Sequence, residues 1–234
     1  MYKRIVLKLS GEAVGGNNRE IAFDDCVIKE IVSQVKRVIS TGTQVAIVIG
    51  GGNIWRCRSA NPRMDRVKAD QIGMLATIIN AVYVADVFRQ EGAEAIVQTP
   101  YAIGNVTEVF SKEKAIRRMK NGDVVVFAGG LGHPYFSTDT VTALRAAELE
   151  CDGVLFAKNI DGVYDSDPST NASAKKIDEI RCEDIIKNNL AVIDIAAADL
   201  CLKEKIPVVI FGLKEKDSII RAVKGEKIGT VVTV

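Results

Sequence analysis

Histidine is almost absent: His133 is the only one in 234 residues. A Ser-His-Asp triad would have to use it, and histidine-rich metal sites are excluded. Cysteine is scarce and scattered. Cys26, Cys57, Cys151, Cys182 and Cys201 are an odd number with no C-x-x-C pair, which argues against a disulfide framework or a zinc cluster. That usage suits a reducing, cytoplasmic setting. An excess of one charge is missing too. Thirty-one basic and thirty acidic residues leave a net charge of +1, so no global field recruits nucleic acid or an anionic membrane. Long apolar runs are lacking. Ile5–Leu7 before Lys8 is too short for a signal-peptide core, and the apolar stretch around Ile72–Phe88 contains Asn80 and Asp86, so no membrane span is expected. Neither G-x-x-x-x-G-K-[ST] nor a G-x-G-x-x-G opening a βαβ unit occurs, which leaves a Walker loop and a standard nicotinamide site unsupported. There is no linker rich in Pro, Gly or Ser, no low-complexity tract and no internal repeat.

What is present is an ordinary globular composition, 47% hydrophobic and 26% charged. The length exceeds the usual ~100–200 residues per domain and allows one large α/β domain or two small ones. Short β-branched runs fall at Arg4–Leu9, Gln44–Ile49, Ala93–Gln98, Asp123–Phe127, Gly153–Ala157 and Pro207–Phe211. Several are apolar at successive positions, as strands covered on both faces are. Helical patterns lie between and after them at Asp24–Ser40, Asp65–Glu91, Ser111–Lys120, Thr138–Glu150, Asp194–Glu204 and Lys216–Val223. The alternation predicts an α/β fold with a mainly parallel, doubly wound sheet. The most loop-like stretch, Asp165–Lys175, is expected to divide two lobes of one sheet within a single domain.

Ligands of such a sheet collect where strands turn into helices. The first turn is Lys8-Leu9-Ser10-Gly11-Glu12-Ala13. A lysine ending an apolar strand is costly unless its ammonium meets an anion or carboxylate, and Gly11 admits close backbone approach; a snorkelling lysine is the plain alternative. The second turn, Gly50-Gly51-Gly52-Asn53, precedes Trp55 and Arg56. Three glycines exceed what a tight turn needs, so contact with a phosphate is the better account, with Arg56 as a bidentate partner. The third turn, Ala128–Thr140, is a long glycine-rich connection ending in hydroxyl and carboxylate residues at a helix start, suited to an anion. Within it, Asp139 either serves that site or simply caps the helix. His133 reads as a contact or a satisfied polar residue, not a base. The fourth turn, Ala157–Pro168, lacks the glycine and distal glutamate of a calcium loop. Together with Lys8, Arg56 and Lys158, the four turns imply a polyanionic ligand, better two phosphorylated molecules than one.

In this order the turns resemble those of the bacterial uridylate (UMP) kinases, within the amino acid kinase family. Lys8–Gly11 resembles their K-L-S-G-E start and Gly50–Arg56 their G-G-G-N-x-x-R. Asp70–Thr77 resembles D-x-x-G-M-L-A-T, Gly132–Asp139 resembles G-N-P-[FY]-F-T-T-D, and Val154–Pro168 resembles V-D-G-V-[FY]-x-x-D-P. The likeness runs from Lys3 to Thr230, and its third and fourth elements are the most specific. It implies the amino acid kinase fold, a three-layer αβα sandwich, with a UMP-binding and oligomerisation lobe over 1–150 and an ATP-binding lobe over 151–234.

By the same resemblance the UMP site falls on Gly51, Asp70, Leu131, Gly132, His133, Pro134, Tyr135, Phe136, Ser137 and Thr138, with Arg56 fixing the acceptor phosphate. The ATP site falls on Lys8, Leu9, Ser10, Gly11, Gly52, Arg56, Lys158, Asn159, Tyr164 and Asp167. Asp70 would hold the ribose hydroxyls, although an acid near a helix start is also favoured by the dipole. Tyr164 would cover the adenine; by itself it reads as a core aromatic. The nucleotide segment is one residue shorter than in many relatives, which leaves Lys158 and Asn159 as alternatives for the phosphates. His133 stands where asparagine is common, and Ser137 replaces a threonine. The stretch Val14–Phe23 lacks the G-F-G-I-D pattern common near the GTP-responsive region.

The implied reaction is ATP + UMP → ADP + UDP, in pyrimidine nucleotide biosynthesis. The catalytic group is Lys8, Asp139 and Arg56, and the chain supplies no metal-ligand cluster. Magnesium is expected to bind through ATP phosphates and water. Carbamate, acetylglutamate or aspartate kinase activity, or a non-catalytic nucleotide or oxyanion binder, are the competing readings. Along Asp65–Glu91 the apolar positions cover more than one stripe, so burial against a second subunit is expected, consistent with a homohexamer. The resemblance also implies UTP as a feedback inhibitor.

Overall fold

The computed structural model describes residues 2–15, 23–56, 61–166, 168, 170, 171, 173–188, 190 and 192–234. Cys57 and Asp167 lie outside them, as does most of the stretch compared with the GTP-responsive region. Two strands from the N-terminal part start the sheet. β1 (Arg4–Leu9) lies parallel to β2 (Gln44–Ile49), and on its other side parallel to β6 (Gly153–Lys158). β3 (Ala95–Thr99), β4 (Glu108–Val109) and β5 (Val124–Phe127) extend the sheet beyond β2, while β10 (Val208–Gly212), β11 (Thr230–Thr233) and β9 (Glu179–Arg181) extend it beyond β6. The order is β4-β3-β5-β2-β1-β6-β10-β11-β9, and every neighbouring pair is parallel except β10 with β11. A two-stranded antiparallel sheet, β7 (Val163–Tyr164) with β8 (Lys176–Ile177), stands apart. The stretch Asp165–Lys175 connects the strands of this hairpin, and Asp165 N–H bonds to Lys175 O.

All six residues of β1 are buried because helices cover both faces. Strand alternation decides which residue serves which layer. Ile5, Leu7 and Leu9 pack toward α2 (Asp25–Ser40), α3 (Arg66–Gln90) and α8 (Ser218–Val223). Val6, Val48, Phe127 and Phe156 pack toward α4 (Lys112–Lys120), α5 (Thr138–Glu148), α6 (Cys182–Lys187) and α7 (Ile195–Lys203). The three-layer αβα arrangement is that expected. Lys8 shares the parity of Val6, so its side chain leaves the strand on the α5 side.

Side-chain caps fix the helix starts: Asp24 on α2, Asp65 on α3, Ser111 on α4, Ser137 on α5 and Asp194 on α7. Ser137 and not Asp139 therefore caps α5, which removes the plain explanation of Asp139. Most boundaries agree to within one residue, and three differ by two, among them α8, which begins at Ser218 and not Lys216. β3 begins at Ala95 because Ala93 N–H still closes the preceding helix end on Phe88 O. α5 stops at Glu148, where Glu150 turns into the left-handed region at φ +54°. The short β4, β7, β8, β9, β11, α6 and α1 (Gly11–Val14) carry too few residues for a readable period.

By length and composition α3 could cross a membrane, with mean hydropathy 1.5 over its most apolar window. Half of that window is buried inside the protein, and Asn80 on it is fully buried among polar partners.

Candidate active site

The strand-end turns meet at the carboxyl edge of the central sheet. Lys8 Nζ lies 3.2 Å from Asp139 Oδ1, and Lys158 Nζ lies 3.6 Å from Asp139 Oδ2. All three side chains are largely buried. One carboxylate from the first turn of α5 thus holds two ammonium groups, from the ends of β1 and β6. Burial pushes the Asp139 carboxyl up. The two lysines and a bond from the Asp194 backbone outweigh it and hold the carboxyl below the ordinary range. Burial, with repulsion from Lys8, outweighs the attraction of Asp139 at Lys158 and sets that ammonium below the usual lysine value. Lys158 also donates to Val192 O.

The first two glycine turns lock into each other. A Cβ on Gly11 would fall 2.3 Å from Gly52 N and 2.9 Å from Gly50 O, so only glycine lets the loops touch. A Cβ on Gly51 would sit 2.8 Å from the Ala76 Cβ on α3. At Gly52 the nearest atoms would be 3.8 Å away, both on Glu12. Packing therefore explains Gly11 and Gly51, and only Gly52 keeps an open face. Asn80 anchors the second turn from α3: its Nδ2 donates to Gly50 O at 2.6 Å and to Asn53 Oδ1 at 2.7 Å, and Asn53 Nδ2 donates back to Asn80 Oδ1 at 3.0 Å.

Beside this turn, Gly51, Trp55, Asp70, Gly130, His133 and Thr138 line a cleft of about 160 Å³, with Phe136 at its wall. Trp55 Nε1 donates to Ala69 O, and Thr77 Oγ1 accepts from Gly129 N–H at 2.8 Å. Asp70 lies in the second turn of α3, too far along the helix for the dipole to explain it. It accepts from Arg66 Nε at 2.9 Å and from the Tyr135 backbone N–H at 2.9 Å. Tyr135 holds φ +74°, a strained value for a non-glycine residue, and that geometry delivers its N–H to Asp70. Thr138 on the cleft is followed in the chain by Asp139, so cleft and lysine pair adjoin.

The remaining expected residues divide. Leu9 is fully buried in the core and offers backbone alone, whereas Leu131 is partly buried against the α4–α5 layer. Ser10 caps α1 and Ser137 caps α5. Gly132, at φ +81°, packs on Pro100, and Pro134 is half-buried in the same loop. Arg56 Nε donates to Gly52 O at 3.0 Å while Nη2 pairs with Glu12 Oε1 at 2.6 Å. Asn159 Nδ2 donates to Glu12 Oε2 at 3.0 Å. Lys158, the last residue of β6, points to Asp139, and Asn159, just beyond the strand, points to Glu12. Tyr164 stands on the β7–β8 hairpin with its hydroxyl on Asp161 Oδ1 at 2.8 Å, and Lys176 Nζ lies 3.3 Å from Asp161 Oδ2.

Sequence reasoning missed Asn80, Thr77, Trp55, Glu12 and Asp194. Asn80 was visible as an amide inside an apolar helix. Asp194 looked like an ordinary helix-start acid, yet its Oδ2 also accepts from Thr140 Oγ1 on α5. Among the described residues no group of three or more His, Cys, Asp or Glu is placed to hold a metal. The Asp139 carboxylate, engaged by two ammonium groups, suits a cation held mainly by ligand phosphates and water.

Residues 3–212 match the model of the amino acid kinase family. The chain is similar to the UMP kinase of Bacillus anthracis, with 36% identity, a TM-score of 0.93, and 99% of this chain and 96% of that one covered. It is also similar to the UMP kinase of Ureaplasma parvum, at 32% identity and TM-score 0.92 with both chains fully covered. For the uridylate kinase of Archaeoglobus fulgidus the identity is 29% and the TM-score 0.74, over 98% of this chain and 99% of that one.

Proposed function

The chain belongs to the amino acid kinase family, and we propose that it is an ATP-dependent UMP kinase, catalysing ATP + UMP → ADP + UDP in pyrimidine nucleotide biosynthesis. The observation that carries this reading is the Lys8–Asp139–Lys158 cluster adjoining the cleft of Gly51, Asp70 and Thr138. Cations for a polyphosphate lie next to a pocket whose carboxylate suits ribose hydroxyls.

The nucleophile is a phosphate oxygen of UMP, largely ionised near neutral pH because the second phosphate pKa is about 6. No general base is required, in keeping with a single, exposed histidine. Catalysis then rests on positioning and on stabilising negative charge. Lys8 holds the transferring phosphoryl group, and Asp139 fixes the Lys8 ammonium. Lys158, on the same carboxylate, faces the donor phosphates. Gly11, Gly51 and Gly52 line the backbone cradle, with Gly52 as its open surface. Arg56 fixes phosphate oxygens. Asp70 and the loop from Leu131 to Thr138 hold the uridine; Arg66 is exposed and can yield its place on Asp70 to the ribose. Tyr164 covers the adenine. Magnesium, when bound through ATP phosphates and water, supplies charge neutralisation of the leaving and transferring groups, and Asp139 is placed to hold one of its waters.

UTP shares the uracil and ribose of the acceptor and is the proposed feedback inhibitor. The proposed assembly is a homohexamer built in part on α3, and the proposed location is the cytoplasm. A coupled assay of ADP release with ATP and UMP, CMP, carbamate or acetylglutamate tests the reading. UMP is expected to be the preferred acceptor. Preference for a carboxylate or carbamate, or nucleotide binding without ADP release, overturns it.

A further inference from the structure

We propose that Glu12 is a positioning residue of the donor subsite, an internal anion that a donor phosphate must displace. Three groups read above as donor-binding converge on its carboxylate. Oε1 meets Arg56 Nη2 at 2.6 Å, Oε2 meets Asn159 Nδ2 at 3.0 Å, and the carboxylate sits against the open face of Gly52, 3.8 Å from where a Cβ would be. Arginine, amide and a bare glycine around two anionic oxygens form a set of partners that a phosphate also takes. α1 is short and its Ser10 cap bonds Ala13, so the helix start does not itself need the Glu12 charge.

The side chain has somewhere to go. Glu12 and Asn159 also line a neighbouring cavity of about 500 Å³ between α1, α2 and the loop after β10, where Lys214 and Lys216 stand with Glu30 and Glu215. A polyphosphate arriving on Arg56 and Asn159 repels the carboxylate toward that space. Glu12 thereby keeps Arg56 and Asn159 in place over Gly52 and weakens the affinity of the trough for anions that cannot displace it.

This inference rests on the donor reading of Gly52, Arg56 and Asn159, and the test separates the two. Binding of inorganic tripolyphosphate is measured by calorimetry for the wild-type chain and for Glu12→Gln, which keeps the shape and removes the charge. The ion pair is partly exposed, so the expected gain in tripolyphosphate affinity is about two- to fivefold at low salt, closing at high salt. The KM for ATP falls in step, and by more than any change in the KM for UMP, whose phosphate Arg56 also meets. Glu12→Ala moves both donor readouts in the same direction, which guards against an effect peculiar to the glutamine. Equal or weaker tripolyphosphate binding by Glu12→Gln, a gain insensitive to salt, or no binding by either protein overturns the proposal. ADP release from ATP and UMP by the wild-type chain tests the kinase reading itself, independently of Glu12.

Discussion

Lys8 carries the sharpest residue-scale expectation. It is 8% exposed near the end of a strand that is otherwise apolar from Ile5 to Leu9, and Asp139 is its partner. Preorganised donors at a developing charge are typically worth roughly 3–4 kcal/mol in the transition state. Lys8→Ala is therefore expected to lower kcat on the order of a hundredfold or more. An unchanged kcat in a folded Lys8→Ala protein, judged by thermal unfolding, would remove Lys8 from the mechanism. The pH response follows from the shared carboxylate. Because the folded Asp139 carboxyl lies below its unfolded value, its stabilisation is present above the ordinary carboxylate range and is lost as pH falls through the folded value. Asp139→Asn should thus lower Tm at neutral pH and flatten the acid limb of Tm against pH. Lys158 behaves oppositely. Its ammonium is set below the usual lysine value in the free protein, so kcat/KM for ATP should decline on the alkaline side before an ordinary lysine would titrate. Lys158→Arg is expected to move that decline upward; a profile identical to wild type would exclude Lys158 as its origin.

At the scale of elements, the glycine turns divide into those that hold the protein together and one that keeps an open face. Gly11→Ala forces backbone against backbone at 2.3 Å, and Gly51→Ala drives a methyl into α3 at 2.8 Å. Each should cost ~1–3 kcal/mol of stability, the usual penalty of overpacking. Gly52→Ala meets nothing closer than 3.8 Å and should keep the wild-type Tm while raising the KM for ATP. A large loss of Tm for Gly52→Ala would contradict this division. α3 does more than cover the sheet. The buried amide Asn80 ties it to Gly50 and Asn53, and Asp70 one face away reaches the loop before α5. Both turns are therefore referenced to one rigid helix, which fixes their geometry relative to each other.

The whole molecule places β1 at the centre of nine strands and gathers chemistry from both halves of the chain at one sheet edge. It also leaves an apolar surface. Met74, Ile78, Val84, Val87 and Phe88 of α3 are buried, but Leu75 and Ile79 are 53% and 51% exposed, with Ile72 and Val82 partly exposed on the same stripe. Two apolar side chains one turn apart on a solvent face fit the expected subunit contact. Replacing both by charged residues, as in Leu75→Glu with Ile79→Lys, should reduce the mass measured by light scattering to a smaller species. A wild-type chain that is already monomeric at micromolar concentration would sink the assembly proposal.

The α/β architecture, six of its strands and six of its helices were legible in the sequence, because hydrophobic period and capping chemistry are local properties. Lys8, Asp70 and Asp139 stood out as charges where apolar or capping residues suffice. What the sequence left open depended on distance. Whether Asp139 is a cap or a counter-ion was settled by Ser137 taking the cap and by two lysines, 131 and 19 residues away in the chain, converging on one carboxylate. That Gly11 and Gly51 serve packing while Gly52 stays open, that Lys158 and Asn159 face opposite ways, and that Glu12 lies between Arg56 and Asn159 were likewise decided by tertiary structure. The physical reason is common to all of them: a residue's pattern fixes the element it joins, but its partners are fixed only when parallel strands remote in sequence are brought side by side.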